Sequence, residues 1–281
     1  SSILSPGTKK MNKENKLIPG LPSGFEDRWN KKLILKKKLI NIIENNFVKF
    51  GFEPLETPSF EISENIGSFL ADDDSNPMSD VFSFKDGEKN ITLRYDLSSP
   101  LARFVAQNNQ ELPLPYKRYA IQNVFRNEKA GNARYREFTQ ADCDIVGNVN
   151  PAQANAELCN LIVSTLLACG LKKNQFVVNI SNRKIIQGLI EDLKISENKK
   201  IKVMRAIDKL DKPGFGLKGV EDLLKKERVD VSGAVTKGAD LTDDEASQII
   251  NFLKVKNLKE LKNNLKNPLS LEGIKELEDM L

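Results

Sequence analysis

The chain has 281 residues, 40% of them hydrophobic, and a formal net charge of +4, which permits a nucleic-acid partner without requiring one. It contains no histidine, which excludes Ser-His-Asp and Cys-His catalysis and H-E-x-x-H zinc sites, and no uninterrupted apolar run is long enough to span a bilayer. An odd number of cysteines without a C-x-x-C pair predicts reduced thiols in a cytoplasmic protein, namely Cys143, Cys159 and Cys169.

The N-terminal third predicts a leader, a helix and a strand. Residues 1–16 are interpreted as a disordered or non-native leader. An amphipathic helix is predicted from Trp29 to Phe50, and Gly51 should end it, because glycine tolerates the left-handed conformation that follows many helices. The next segment, F-E-P-L-E-T-P-S-F, is predicted as a strand whose two prolines restrict it to an edge or an interface.

A hairpin followed by a helix comes next. V-F-S-F and I-T-L-R-Y flank a predicted turn at Asp86 and Gly87. Asp96 follows the second strand, and Ser99 with Pro100 fits the first positions of a helix. The carboxylate of Asp96 therefore lies at a strand-to-helix junction, where it either binds a ligand or simply caps the helix.

The most informative segment runs from Phe125 to Gly147 and contains three arginines, four carboxylates and a glutamine. A turn centred on Ala130, Gly131 and Asn132 predicts two antiparallel strands joined by a flexible loop. In the second strand, side-chain alternation places three polar residues on one face: Gln140, Asp142 and Asp144. Such a row is either the floor of a pocket for a polar ligand or the solvent face of an amphipathic strand.

Arginines at the mouth of the same loop suggest phosphate binding. The guanidinium groups of Arg126 and Arg134 match phosphate oxygens in bidentate geometry. The alternative is a set of ion pairs on an exposed hairpin, in which both arginines pair with Glu128 and Glu137.

The remaining chain is predicted to be mainly helical. A helix should begin at Asn150-Pro151 and end at Gly170, and Q-F-V-V-N-I (175–180) is predicted to complete an antiparallel sheet. Beyond Glu191 the chain is rich in Lys and Leu, and Thr242 with Glu245 predicts a capping box. The predicted fold class is thus α+β, an antiparallel sheet flanked by helices and followed by a helical domain.

Several segments together resemble the histidyl-tRNA synthetases, a family of class II aminoacyl-tRNA synthetases. The central segment, with F-R-N-E, is similar to motif 2 of the class, and G-F-E-P-L-E-T-P resembles motif 1. The narrower resemblance rests on L-R-Y-D-L-S-S-P-L-A-R-F, R-Y-R-E-F-T-Q-A-D-C-D-I-V-G, S-N-R-K-I-I-Q-G and A-I-D-K-L-D-K. It implies a catalytic core over residues 17–190 with motifs 1 and 2, and a helical insertion domain over 191–281 that lies near the tRNA acceptor stem in the family.

The resemblance also implies residue roles. Arg126 would contact the ATP α-phosphate as the catalytic arginine, Glu128 the adenine end and Arg134 the far phosphates. Histidine would be held by Asp96, Ser98, Gln140 and Asp144, with Asp144 near the imidazole. Ser98 stands where the family usually has threonine, so the hydroxyl is retained.

The implied reaction is activation of histidine by ATP, followed by transfer to tRNA(His). The substrate carboxylate is itself the nucleophile, so no protein base is required, and positioning and charge stabilisation by arginines and Mg²⁺ suffice. No protein-held metal site is predicted. In the family, motif 1 forms a homodimer interface.

Two further expectations follow from the resemblance. The histidine-specific loop, motif 3 and the anticodon-binding domain of the family are not recognised, so the chain is interpreted as an N-terminal fragment that would not activate histidine alone. The rival interpretation is the regulatory subunit of ATP phosphoribosyltransferase, a non-catalytic relative. Retention of Arg126, Glu128, Arg134 and Gln140 favours the enzyme.

Overall fold

The computed structural model describes residues 19–66, 81–128, 130–131, 134–212, 214–229, 235–255 and 257–281. The predicted leader and Asn132 of the central turn lie outside these ranges. The helices assigned there are α1 (Asn30–Lys49), α2 (Ser63–Ile66), α3 (Ser98–Asn108), α4 (Pro151–Ala168), α5 (Arg183–Asp192), α6 (Glu197–Ile207), α7 (Gly216–Lys225), α8 (Asp243–Lys254), α9 (Leu258–Asn264) and α10 (Pro268–Glu278). The strands are β1 (Glu53–Pro54), β2 (Phe60–Ile62), β3 (Ser83–Asp86), β4 (Lys89–Leu93), β5 (Tyr116–Phe125), β6 (Glu137–Val146), β7 (Arg228–Val229) and β8 (Val235–Thr236).

Helix α1 confirms the predicted N-terminal helix almost residue for residue. Gly51 has a φ of +78°, the left-handed conformation that ends a helix at little cost for glycine. Near its C-terminal end, Phe47 is buried and its ring packs edge-on against Tyr119 of β5, with 5.6 Å between ring centroids. The helix therefore covers one part of strand β5, which leads into the central loop.

Two small sheets organise the first part of the chain. In one, β5 lies between β1 and β6, where β5 and β6 are antiparallel and β1 is parallel to β5. The α+β class is confirmed, although the β1–β5 pair makes this sheet mixed instead of purely antiparallel. β1 occupies the edge, as its proline requires, because proline has no N–H for a second ladder.

The second sheet has the order β2-β4-β3 and confirms the predicted hairpin, with a two-residue turn at Gly87 and Glu88. Arg103 of α3 holds this sheet through a bidentate ion pair with buried Glu61 of β2, at 2.8 Å and 2.9 Å. The fork geometry and the burial of Glu61 make this pair more than a solvated surface contact.

Two predictions of local structure differ from the observed chain. Residues 175–180 form no strand, and Val177 is 81% exposed. Their β-branched composition favours extended backbone, but no described strand pairs with them. Helix α3 begins at Ser98, one residue before the predicted start at Ser99, and Oδ1 of Asp96 accepts the backbone N–H of Ser99.

Packing divides the chain into two compact units. The first comprises residues up to Asn148 together with Ser164–Leu171, and the second comprises Val149–Val163 with Lys172–Leu281. Residues 172–190, which the sequence assigned to the catalytic core, thus pack with the helical part. The reason is α5, whose apolar face joins the core of the second unit through Ile185, Ile186, Leu189 and Ile190.

Close contacts between helices and side-chain caps at helix ends stabilise the second unit. α5 and α10 approach so closely at Gly188 that an added Cβ would overlap Ser270. The predicted capping box of Thr242 and Glu245 is present at the start of α8. None of the helices in the described ranges combines the length and apolar character needed to cross a membrane.

Candidate active site on one face of strands β5 and β6

The candidate site lies on one face of the antiparallel pair β5 and β6. Their register runs from Tyr116 opposite Val146 to Phe125 opposite Glu137. It places Gln140 opposite Gln122, Asp142 opposite Ala120, and Asp144 opposite Arg118. Residues directly opposite share a face, so the predicted polar row exists and includes a cation from the neighbouring strand.

Arg118 is the residue that the sequence interpretation missed. It is 0% exposed, and its Nη2 lies 3.1 Å from Oδ2 of Asp144. The same nitrogen donates to the backbone carbonyl of Leu97 at 2.6 Å. The available signal was an arginine in the strand sequence Y-K-R-Y-A-I-Q-N-V-F, at a position that alternation puts on the same face as apolar Ala120 and Val124.

Asp96 approaches this row from the loop after β4. Its Oδ1 accepts the backbone N–H of Ser99 at 3.1 Å, so the capping role considered for it is present. Burial raises the pKa values of Asp142 and Asp144, and the charge of Asp96 adds to the rise in both cases. Ser98 begins α3 two residues later, with an exposed side chain.

Burial has the largest effect on the pKa values of the carboxyl groups in this row. Desolvation raises the pKa of both Asp142 and Asp144, while the positive charge of Arg118 lowers it in each case. Desolvation also raises the pKa of the Cys143 thiol to about 12. Cys143 is therefore a neutral thiol at physiological pH, and the reactive character of the site lies in its carboxylates and arginines.

Because its ionised form is disfavoured by burial, Asp142 is expected to reduce the stability of the free protein. A carboxyl group whose pKa is higher in the folded than in the unfolded protein lowers the free energy of unfolding at pH values above its folded pKa. Below its unfolded pKa the group is protonated in both states and has no such effect. We predict that Asp142→Asn raises the melting temperature at pH 7, and that the gain disappears as the pH falls below about 4. Thermal unfolding across pH checks this, and a lower melting temperature at pH 7 would contradict it.

Arg126 lies at the other end of the row, where β5 leads into the loop. Its guanidinium is stacked over the rings of Tyr95 and Phe138, at 4.5 Å and 5.0 Å from their centroids. Cation–π contacts of this kind hold a guanidinium in place without consuming its N–H donors. Its Nε is buried and has no hydrogen-bond partner among the described residues.

The loop itself contains one of the ion pairs considered as an alternative to phosphate binding. Arg134 pairs with Glu128, and its side chain is 65% exposed. Glu128 also accepts from the hydroxyl of Tyr95 at 3.2 Å, and its carbonyl accepts from Nε of Arg136 at 2.9 Å. Arg134 is thus held in the loop by a solvated pair that a phosphate could replace at little cost.

Backbone contacts anchor both ends of this loop. The N–H of Arg126 donates to the carbonyl of Arg136 at 2.9 Å, and the N–H of Arg136 donates to the carbonyl of Gly24 at 2.8 Å. Arg28 donates to the carbonyl of Glu137 at 3.1 Å. The segment before α1 therefore supports the loop that carries Glu128 and Arg134.

Several buried polar atoms of this face lack hydrogen bonds within the described part of the chain. They are Nε and Nη1 of Arg118, Nε of Arg126, Oε1 of Gln140 and Oδ2 of Asp144. The 3.1 Å approach of Arg118 to Asp144 is an ion pair without hydrogen-bond alignment. Each unmade hydrogen bond costs about 1–3 kcal/mol, so their concentration here indicates a surface completed by ligand or water.

Comparisons with known proteins agree with this geometry. The family described as Histidyl-tRNA synthetase matches residues 24–230. The chain is 90% identical over 271 residues to the histidine–tRNA ligase of Pelagibacter ubique (strain HTCC1062), which covers 96% of this chain and 58% of the relative. It therefore spans little more than half the length of that relative.

Solved structures are similar over nearly the whole chain. The crystal structure of histidyl-tRNA synthetase from Nostoc sp. PCC 7120 has a TM-score of 0.73 and 26% identity, covering 94% of this chain and 57% of that one. A structure from Bacillus halodurans, described as an ATP phosphoribosyltransferase regulatory subunit/histidyl-tRNA synthetase, has a TM-score of 0.72 and 19% identity, covering 95% and 64%, and shows the fold alone. With the family match extending over 207 of the 281 residues, the chain belongs to the histidyl-tRNA synthetase family.

Proposed function

We propose that this chain forms the ATP and amino-acid face of a histidine–tRNA ligase, which activates histidine with ATP and transfers it to tRNA(His). The observation that carries the proposal is the row of buried polar atoms between Arg126 and Asp144 that have no hydrogen-bond partner among the described residues, in a chain of this family. Arginine N–H groups are donors for phosphate oxygens, and amide and carboxylate oxygens are acceptors for an ammonium or imidazole N–H. One face thus offers complementary groups to both substrates.

The chemistry needs charge stabilisation more than proton transfer. A carboxylate oxygen of histidine forms a bond to the α-phosphorus while the bond from that phosphorus to the pyrophosphate oxygen breaks, with no net proton change. Arg126, stacked on two rings, would meet the α-phosphate as charge develops there. Glu128 would contact the adenine end and Arg134 the far phosphates.

The acidic end of the row is assigned to the amino acid. Asp96 and Gln140 would hold the α-ammonium group, Asp144 would contact the imidazole side, and the hydroxyl of Ser98 would contribute at the start of α3. Support comes from the electrostatic coupling of Asp96 with Asp144 and from the unpartnered oxygen of Gln140. A negatively charged, partly desolvated site favours a cationic amino acid.

Mg²⁺ is expected to arrive with ATP. The described residues contain no group of three or more Cys, Asp or Glu side chains that could hold a metal ion. This arrangement does not fit a protein-built cage, and Mg²⁺ is commonly bound through substrate phosphates and water. We therefore assign no residue as a metal ligand and no reaction step to a metal.

A homodimer through the motif 1 region is part of the proposal, as is a cytoplasmic location. Helix α1 exposes a row of large apolar side chains next to the motif 1 segment: Ile34, Leu35, Leu39 and Ile42. Exposed apolar rows of this kind mark association surfaces. Light scattering on the purified protein tests the dimer.

The regulatory-subunit interpretation is less well supported. The P. ubique relative at 90% identity carries the name histidine–tRNA ligase, whereas the neighbour with the combined description is only 19% identical. Arg126, stacked on Tyr95, and the Glu128–Arg134 pair are also present on the side that is proposed to bind ATP.

Exchange of pyrophosphate into ATP tests the proposed function. A chain extended through its own reading frame to the length of its relatives should catalyse this exchange with histidine and with no other standard amino acid. The 281 residues alone should show none, since they span only 58% of the P. ubique relative. Exchange by the extended chain that ignores histidine would refute the assignment, and clear exchange by the 281 residues would refute the expectation that they are inactive alone.

A further inference from the structure

Arg118 is unusual because a fully buried cation lies in a row of carboxylates and is only partly hydrogen-bonded. It is the largest fully buried side chain of the described part of the chain. Buried charges are normally paired and hydrogen-bonded, because desolvating an ion costs several kcal/mol. Packing alone therefore does not explain why an arginine occupies this position.

Its contacts join three pieces of the site. Nη2 donates to the carbonyl of Leu97, which lies between Asp96 and Ser98 in the chain, at 2.6 Å. The same nitrogen lies 3.1 Å from Oδ2 of Asp144 on β6. A single guanidinium from β5 thus fixes the start of α3 relative to the acidic end of β6.

A second buried arginine provides an internal contrast. Arg94 donates to the carbonyls of Asn123 at 2.6 Å and Thr57 at 2.7 Å, and to that of Pro58 at 3.3 Å. These N–H donors bind backbone carbonyls, which is typical of an arginine with a structural role. Within the described part of the chain, Nε and Nη1 of Arg118 have no hydrogen-bond partner and Nη2 lies beside Asp144, so Arg118 differs from a purely structural arginine.

The charges of this row also indicate that the role of Arg118 is more than structural. Burial raises the pKa of Asp142 and Asp144 and the charge of Asp96 adds to this rise, whereas the charge of buried Arg118 lowers the pKa of both. With the carboxylates ionised, the row carries an excess negative charge. Without Arg118, burial and mutual repulsion would favour protonation, and the attraction for a cation would weaken.

We infer that Arg118 is a positioning residue of the amino-acid site, which holds Asp144 and the Asp96–Ser98 segment in place and supplies the counter-charge that lets the row bind a cationic amino acid. This inference rests on the proposed function. Arg118 acts through Asp144 and the backbone of Leu97, without contact to the reacting atoms.

The test uses pyrophosphate exchange by the extended chain with the variants Arg118→Met and Arg118→Lys. Methionine keeps much of the volume and removes the charge, and lysine keeps the charge and removes the fork. We expect Arg118→Met to raise the KM for histidine at least tenfold with less than a threefold change in the KM for ATP. Arg118→Lys should recover part of the loss.

Arg103→Met is the matched control, because Arg103 also pairs with a carboxylate, but it joins α3 to Glu61 of β2 in the other sheet. It should lower the melting temperature and leave both KM values unchanged. If Arg118→Met fails to fold, Arg118→Lys decides the question by the same comparison of KM values. Unchanged KM for histidine in the folded Arg118 variants would overturn the inference.

A double-mutant cycle with Asp144→Asn tests the route of the effect. If Arg118 acts through Asp144, adding Arg118→Met to Asp144→Asn should raise the KM for histidine by less than threefold beyond Asp144→Asn alone. Full additivity would overturn that route. An unsubstituted extended chain without histidine-dependent exchange would refute the proposed function itself, and an active one with normal Arg118 variants would refute only the positioning role.

Discussion

Arg126→Ala is expected to lower kcat for histidine-dependent pyrophosphate exchange by about 10²–10³ in the extended chain, the usual effect of removing one donor to a developing anion. Arg126 is well placed for this role because Tyr95 and Phe138 hold its guanidinium from the ring faces and its Nε has no partner within the described residues. The melting temperature should fall only slightly, through the loss of the two cation–π contacts with Tyr95 and Phe138.

The control for Arg126 is Arg136→Ala. Arg136 belongs to the same loop, but its Nε donates to the carbonyl of Glu128 and its guanidinium lies 5.8 Å from the centroid of Phe82. Its replacement should loosen the loop and raise the KM for ATP, with a smaller loss of kcat. If Arg126→Ala unfolds the protein or dissociates the proposed dimer, its role is structural and the assignment to ATP fails.

Gln140→Ala is expected to raise the KM for histidine by about 10- to 100-fold while changing the KM for ATP by less than threefold. Oε1 of Gln140 is buried and has no partner among the described residues, so it is free to accept from an ammonium group. Hydrogen bonds to charged groups contribute about 1.5–3 kcal/mol, which corresponds to this range. Initial-rate measurements with each substrate varied in turn give both values.

Gln122 offers a control of the same residue type on the opposite strand position. Its side chain is already bonded to the backbone of Thr57, accepting from N–H at 3.2 Å and donating to the carbonyl at 3.0 Å. Gln122→Ala should therefore lower the melting temperature and leave the KM for histidine unchanged. Equal effects of Gln140→Ala on the two substrates would contradict its assignment to the amino acid.

Local elements with strong end signals were predictable. Gly51, Asn150 with Pro151, and Thr242 with Glu245 each mark a helix end through backbone conformation or a side-chain cap, and the structure has those ends. The hairpin of β3 and β4 and the antiparallel pair of β5 and β6 also follow from local alternation around a turn. These features depend on neighbours in sequence, so composition and spacing suffice.

Where a segment finds its packing or pairing partners depends on residues far along the chain. The segment 175–180 has strand composition, but composition does not supply a pairing strand. Residues 172–190 pack with the helices because apolar side chains of α5 find their partners on α10, far along the chain. Both outcomes depend on contacts between elements that lie far apart in sequence.

By itself, the sequence determined the α+β class, the family resemblance and the polar alternation of Gln140, Asp142 and Asp144, because these depend on residue type and local period. Only the tertiary structure showed that Arg118 lies opposite Asp144, that Asp96 caps α3 while sharing the field of the carboxylates, and that Glu128 pairs with Arg134. Pairing register and burial decide which charges meet, and neither is a property of one segment alone.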